Sequence, residues 1–349
     1  MGARLCRAPT SPPHQIDCMA QNNPFAERGR ITDPARFAGR WGELSLIFER
    51  LGAGRPVLIA GSPGIGKSSL LTHVVQSAAA NLELPDLRAY YLDMMGAESA
   101  AEVYRTVAGA LGQPGDTLAA LDLGLVAASH PVLLALDNVD GALAAGWGDL
   151  MLEALARVAR GGRLFLVAAL AGGPPPLSEP FATLRLGALA QSEVRLLLDA
   201  YLDGDGEGVS FAPAETRELA ELSGAHPAYL QRAAFHLYRS KLDPGYDWRA
   251  AYRVEARDRP IPGAPLPPAV FEGERGPRVE RSSYGEAAAD QSPTRPAQRP
   301  LPDAAPALFA LVALLAAVLA FALTRSWLVA AVAAAAGLAA AVLWRRKTG

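Results

Sequence analysis

The chain has 349 residues, enough for one large or two modest domains. Its formal net charge of -2 shows no basic bias, so bulk charge argues against a nucleic-acid partner. The two cysteines, Cys6 and Cys18, lack metal-type spacing and point to a reducing compartment rather than a disulfide scaffold.

Residues 1–23 are polar, with Pro9, Pro12 and Pro13 and no apolar stretch of signal-peptide type. They read as a disordered tail, and either Met1 or Met19 can be the start. Phe37-Ala38-Gly39-Arg40-Trp41-Gly42-Glu43 then leads into a helix over about 41–51. The apolar run Val57–Ala60 reads as a buried strand. It runs into Gly61-Ser62-Pro63-Gly64-Ile65-Gly66-Lys67-Ser68, which satisfies the phosphate-loop pattern in full. Ser69, Leu70, Leu71, Val74 and Val75 continue as a helix to about residue 80.

Each residue type in that loop has a physical reason. Glycine lets the backbone turn sharply and approach a phosphate with no Cβ in the way. The loop amides form a nest of donors backed by the positive end of the following helix. Lys67 is placed to reach β- and γ-phosphates, and the Ser68 hydroxyl to ligate Mg²⁺. Gly61 through Ser69 is therefore the candidate nucleotide-binding stretch.

Further on, 88–93 reads as an aromatic strand ending in an acid, and helical spacing covers about 98–112 and 118–128. Val132-Leu133-Leu134-Ala135-Leu136-Asp137 is an apolar run ending in an acid. It predicts a strand buried on both faces with Asp137 at its C-terminal edge, where ligands of open α/β sheets bind. Asp137 is the candidate metal residue beside Ser68. The next residue is Asn138, which cannot act as a base; Asp140 is the nearest following acid and the candidate substitute. Residues 163–170 predict another buried strand and 182–186 a last one. The expected fold is α/β, a parallel sheet flanked by helices over 24–189.

A helical region follows over 190–257, with Ser192 as its cap and helices at about 213–223 and 227–241. Between them Gly224-Ala225-His226-Pro227 reads as a glycine C-cap followed by proline at the first position of the next helix. Residues 258–303 hold ten of the chain's 28 prolines and read as an extended, disordered linker. Ala304–Thr324 and Ser326–Trp344 are free of charge, and only Arg325 parts them. Roughly 20 apolar residues span a bilayer, so a transmembrane hairpin is expected over 304–344, ahead of a basic tail over 345–349. Arg295, Arg299, Arg345, Arg346 and Lys347 put both ends, and the nucleotide domain, on the cytoplasmic side of the inner membrane. The competing reading is a helical hairpin buried in a soluble core.

Several of these motifs resemble those of STAND- and AAA-type P-loop ATPases, the archaeal and origin-recognition-like modules included. The loop is similar to Gly-x-Pro-Gly-x-Gly-Lys-Ser, 37–43 to Phe-Val-Gly-Arg-x-x-Glu, and 224–230 to Gly-x-His-Pro-x-x-Leu. Asp137 looks like a Walker B acid. The resemblance implies ATP with Mg²⁺, a small helical lid, a Walker B strand separated from the loop strand by the 164–169 strand, and a nucleotide near His226 and Pro227. It makes Gly39 and Arg40 base-side contacts, although Arg40 reads equally as a helix-start residue. His226 reads as a nucleotide sensor or as part of a turn. Two accessories of the family are missing: Asn138 stands for the second acid, and Ala168, Ala169 and Ala171 for the polar sensor. The function expected is a slow ATPase acting as a membrane-tethered switch, with self-association through the lid or hairpin and a protein partner of unknown identity. The alternatives are a nucleotide-binding scaffold and an origin-recognition-like nucleic-acid binder.

Overall fold

A computed structural model describes residues 23–272, apart from 174, 176, 179, 180, 206 and 207. The chain divides into two units, 1–279 and 280–349, and every described residue belongs to the first. Of the expected tail over 1–23, residues 1–22 lie outside the described residues, as do the linker from 273, the hairpin over 304–344 and the basic tail. Asn23, expected in that tail, is instead buried and bonded to the Phe235 carbonyl. Among the described residues, no helix is long and apolar enough to cross a membrane.

Among the described residues five strands form one sheet: β1 Val57–Gly61, β2 Arg88–Asp93, β3 Val132–Asp137, β4 Leu164–Ala171 and β5 Ala182–Arg185. All pairings are parallel, in the order β2-β3-β4-β1-β5. The separation of Asp137's strand from the loop strand by a strand over 164–169, implied by the resemblance, is what the structure has, with that strand running Leu164–Ala171. Helices α1 Trp41–Gly52, α2 Lys67–Asn81, α3 Ala100–Ala110, α4 Leu118–Ala127, α5 Asp140–Ala144 and α6 Gly148–Arg160 cover both faces.

Alternate residues of each strand serve opposite faces. Val57, Ile59, Leu133, Ala135, Val167 and Ala169 pack with residues of α1 and α2. Leu58, Leu134, Leu136, Leu166 and Ala168 pack with α3 to α6. Coverage of both faces explains why the strands read as unbroken apolar runs and not as alternating ones. The edge strand β5 is short, which limits the unpaired backbone it presents.

The sequence reading assigns no element between Asp140 and Arg163, yet α5 and α6 lie there. Met151, Leu152, Leu155, Ala156 and Ala159 of α6 are buried at helical spacing, so the signal is present in the sequence. Helix α10, Trp248–Asp258, falls within the region 190–257 expected to be helical but is not singled out there as a helix. With α7 Gln191–Asp205, α8 Pro213–Ser223 and α9 Pro227–Leu242, α10 builds a second core around Tyr201, Tyr229, Tyr238 and Tyr252.

Two expectations change here. Phe25, placed by the sequence reading with the sheet domain, is fully buried in the helical core and stacks on Tyr201 at 5.2 Å and Phe211 at 5.9 Å. Residues 258–272, expected to open a disordered linker, pack instead on the helices. Apolar residues punctuate the prolines: Val270 of the short helix α11, Ala269–Glu272, is fully buried, and the Ile261 amide donates to the Tyr229 hydroxyl at 3.1 Å.

Candidate functional site

The phosphate loop leaves β1 at Gly61 and enters α2 at Lys67. Gly64 and Gly66 have φ of 75° and 100°, the left-handed region that favours glycine. Gly64 has a second reason: a Cβ there would lie 2.9 Å from the Ala228 Cβ and 3.1 Å from the His226 ring. Gly66 caps α2 with no side chain bonding the first amides, so the donors of the first turn stay available to an anion.

Lys67 is buried, and its Nζ donates to the Gly61 carbonyl at 2.8 Å and the Ser62 carbonyl at 3.1 Å. Burial lowers its pKa, opposed by the charges of Asp140 and Asp137. Pro63 through Ser69 face a cavity of about 520 Å³, which Phe37, Ala38 and Arg40 line on one side and Pro227, Ala228, Gln231 and Arg232 of α9 on another. Loop and helical subdomain meet directly, since the Ala228 amide donates to the Gly64 carbonyl at 3.3 Å.

The residues that the resemblance implicates divide into wall and support. Pro227 lines the cavity; His226 and Gly39 do not. His226 is buried behind the loop, its Nε2 3.4 Å from the Ser62 hydroxyl, and burial lowers its pKa. Gly39 (φ 78°) packs against Glu193. Arg40 reaches the wall but is a tie: its guanidinium donates to Glu43 at 2.7 Å, the Gly187 carbonyl at 2.6 Å and the Ile65 carbonyl at 3.4 Å. Glu193, rather than the expected Ser192, holds the start of α7. Its carboxylate accepts from the Ala190 amide at 2.8 Å and the Arg40 amide at 2.7 Å.

Ser69 also has a structural partner, its hydroxyl accepting from the Ile31 amide at 3.0 Å. This belongs to a strap, residues 23–37, that crosses from the helical subdomain to the sheet domain. Asn23 donates to the Phe235 carbonyl at 3.0 Å, Arg28 pairs with Glu255, and Arg30 lies 4.4 Å over the Tyr91 ring. Arg28 and Arg30 line the cavity. Sequence reasoning missed these two, together with Gln231 and Arg232; no motif marks them.

At the C-terminal edge of β3, Asp137 is 1% exposed. Its Oδ2 accepts from the Tyr91 hydroxyl at 2.6 Å and its Oδ1 from the Asn138 amide at 3.0 Å. Burial and this bond push the Tyr91 pKa up. Asp140 lines the cavity with both oxygens on the Ala171 amide, at 2.8 and 2.9 Å. Among the described residues, no cluster of three or more His, Cys, Asp or Glu could hold a metal. Mg²⁺ does not need one: it keeps several waters and takes one or two protein oxygens beside phosphate. Ser68 on the wall, with Asp137 and Asp140 close enough to act on Lys67, fits that pattern.

No family model matches the chain, and no curated protein matches it either. Among solved structures it is similar to the Walker-type ATPase PABY2304 of Pyrococcus abyssi, at 13% identity over 67% of this chain and 76% of that one, TM-score 0.49. It is similar to the Aeropyrum pernix ORC1 protein in complex with DNA, at 18% identity over 64% and 69%, TM-score 0.44. A third is a Pyrococcus horikoshii STAND protein with a tetratricopeptide repeat sensor, at 21% identity over 60% of this chain and 31% of that one, TM-score 0.40.

Proposed function

We propose that this chain is an ATP-binding P-loop protein whose lid closes on bound nucleotide, a slow ATPase used as a switch and tethered to the cytoplasmic membrane by 304–344. One observation carries the nucleotide reading. A complete phosphate loop, with its lysine buried and its glycines in left-handed backbone, opens on a cavity of about 520 Å³ whose opposite wall is the lid helix α9.

The loop amides and the start of α2 bind the phosphates; Lys67 leaves its two carbonyl partners and donates to them. Ser68, backed by Asp137, would hold Mg²⁺, which when bound neutralises charge developing on the phosphoryl oxygens. Ile31, Phe37, Leu189 and Leu197 offer an apolar end for a base. Bound nucleotide would touch loop, strap and lid at once, so it favours the arrangement in which all three meet. The tether rests on the two uncharged runs of sequence, and self-association through lid or hairpin belongs to the same proposal.

The test is MgATP binding and turnover by the full chain reconstituted in lipid. Saturable binding with turnover well below ~1 s⁻¹ supports the switch, since typical enzymes run at 1–10³ s⁻¹. Fast unstimulated turnover overturns it. Binding with no turnover at all favours the scaffold, a reading that the amide of Asn138 keeps open. Salt-dependent DNA binding by the same protein would revive the nucleic-acid reading.

A further inference from the structure

Three carboxylates stand at the C-terminal edge of the sheet, where a water attacking a γ-phosphate needs orienting. Asp137 is sealed, with its oxygens on Tyr91 and on the Asn138 amide. Asp140 spends both oxygens on the Ala171 amide. Asp93 is different. It ends β2 in register with Asp137, it is exposed, and its Oδ1 accepts from the Met95 amide at 3.0 Å and from Asn138 Nδ2 at 2.8 Å.

That last bond fixes more than a distance. A carboxylate only accepts, so the NH₂ of Asn138 must face Asp93 and the amide oxygen must turn away from it. Asn138 lines the cavity, whereas Asp93 does not. The backbone explains the residue type as well. Asn138 has φ 57°, a conformation that asparagine adopts far more readily than glutamate.

We propose that Asp93 is a positioning residue that locks the Asn138 side chain, so that the amide oxygen faces the cavity and orients the attacking water in place of an acid. The inference rests on the nucleotide reading above. The water oxygen bonds to Pγ, and the bond from Pγ to the β,γ-bridging oxygen breaks with its electron pair staying on ADP. The water proton, which an amide cannot hold, goes to a γ-phosphoryl oxygen. Turnover is then oriented but slow, because no base draws off the proton.

The experiment compares the full chain with Asp93→Asn, Asn138→Asp and the double exchange Asp93→Asn/Asn138→Asp, measuring kcat beside the dissociation constant for MgATP. Asp93→Asn frees the amide to flip and should lower kcat by ~10-fold, less than the roughly 10²–10⁴-fold of a true proton-transfer group because the amide only orients the water, with affinity within ~2-fold. Asn138→Asp alone sets two carboxylates face to face. The double exchange turns a carboxylate to the cavity with an amide donating from β2, and should exceed wild type by ~10-fold or more. Unchanged kcat in Asp93→Asn, or a double exchange no faster than Asn138→Asp alone, overturns the proposal. Retained affinity shows that each variant is folded. Wild-type protein that binds no MgATP would bring down the nucleotide reading itself, and this inference with it.

Discussion

The sheet domain and the helical lid are built on different plans. The sheet takes its core from strands whose apolar runs are each complete in sequence, Val132 to Leu136 above all. The lid fills its core partly with chain from elsewhere: Phe25 enters from far upstream and Val270 from the proline-rich segment downstream. A domain completed by its own flanks is tied to whatever those flanks touch. Here the upstream flank runs over the cavity, past Arg28, Arg30 and Ile31, so lid packing and site geometry share one strap.

Removing the Phe25 ring tests that difference most severely. Phe25→Ala deletes a fully buried aromatic stacked on two others and should cost ~3–5 kcal/mol. Hydrogen exchange should then quicken in α7 to α10 while the strands keep their protection. Equal loss in β1 to β4 would mean that lid and sheet unfold as one unit, and the contrast would fail.

Lys67→Ala acts on the sheet side alone. It removes charge-assisted bonds worth ~1.5–3 kcal/mol to a bound phosphate, so affinity for MgATP should fall ~10- to 100-fold with the lid's exchange protection intact. A calorimetric titration reads it, and unchanged affinity would break the nucleotide reading.

The two plans also explain what could be read in advance. The phosphate loop and the five strands are legible because each depends on local pattern or on parallel-sheet burial, whereas the place of β4 between β1 and β3 follows only from the resemblance of the motifs to those of P-loop ATPases. The edge network is not. Nothing near Tyr91 or Asp93 in sequence says that register pairs Asp93 with Asp137. Asn138 reads as a lost acid until its left-handed backbone and its bond to Asp93 are seen. Phe25 and Val270 escape for a related reason: a lone apolar residue in a polar segment carries no period.

Tyr91→Phe probes that edge with a smaller effect. It removes the hydroxyl bonded to Asp137 Oδ2, a competitor for the carboxylate, at a stability cost of ~1 kcal/mol. The Mg²⁺ concentration for half-maximal ATP binding should fall by ~2- to 5-fold, since one net hydrogen bond is worth about that in an equilibrium. An unchanged requirement would place Asp137 outside the metal's reach.

Acid should loosen the strap from the lid, and this is the mildest effect. Burial pushes the Glu255 pKa up, but hydrogen bonds from His236 at 2.7 Å and from Arg28 outweigh it and bring it to about 2. The folded value lies below the ordinary carboxylate value of about 4.3. Its stabilisation is therefore whole above that ordinary value and drains away as pH falls toward about 2. Other carboxylates titrate over the same range, so the informative quantity is a difference. Wild type should lose protection of residues 23–31 between these limits in a step that Glu255→Gln lacks, because the variant has no proton to take up there. A variant that tracks wild type through the whole range would mean that Phe25 and Asn23 hold the strap to the lid, with the Arg28–Glu255 pair adding nothing measurable.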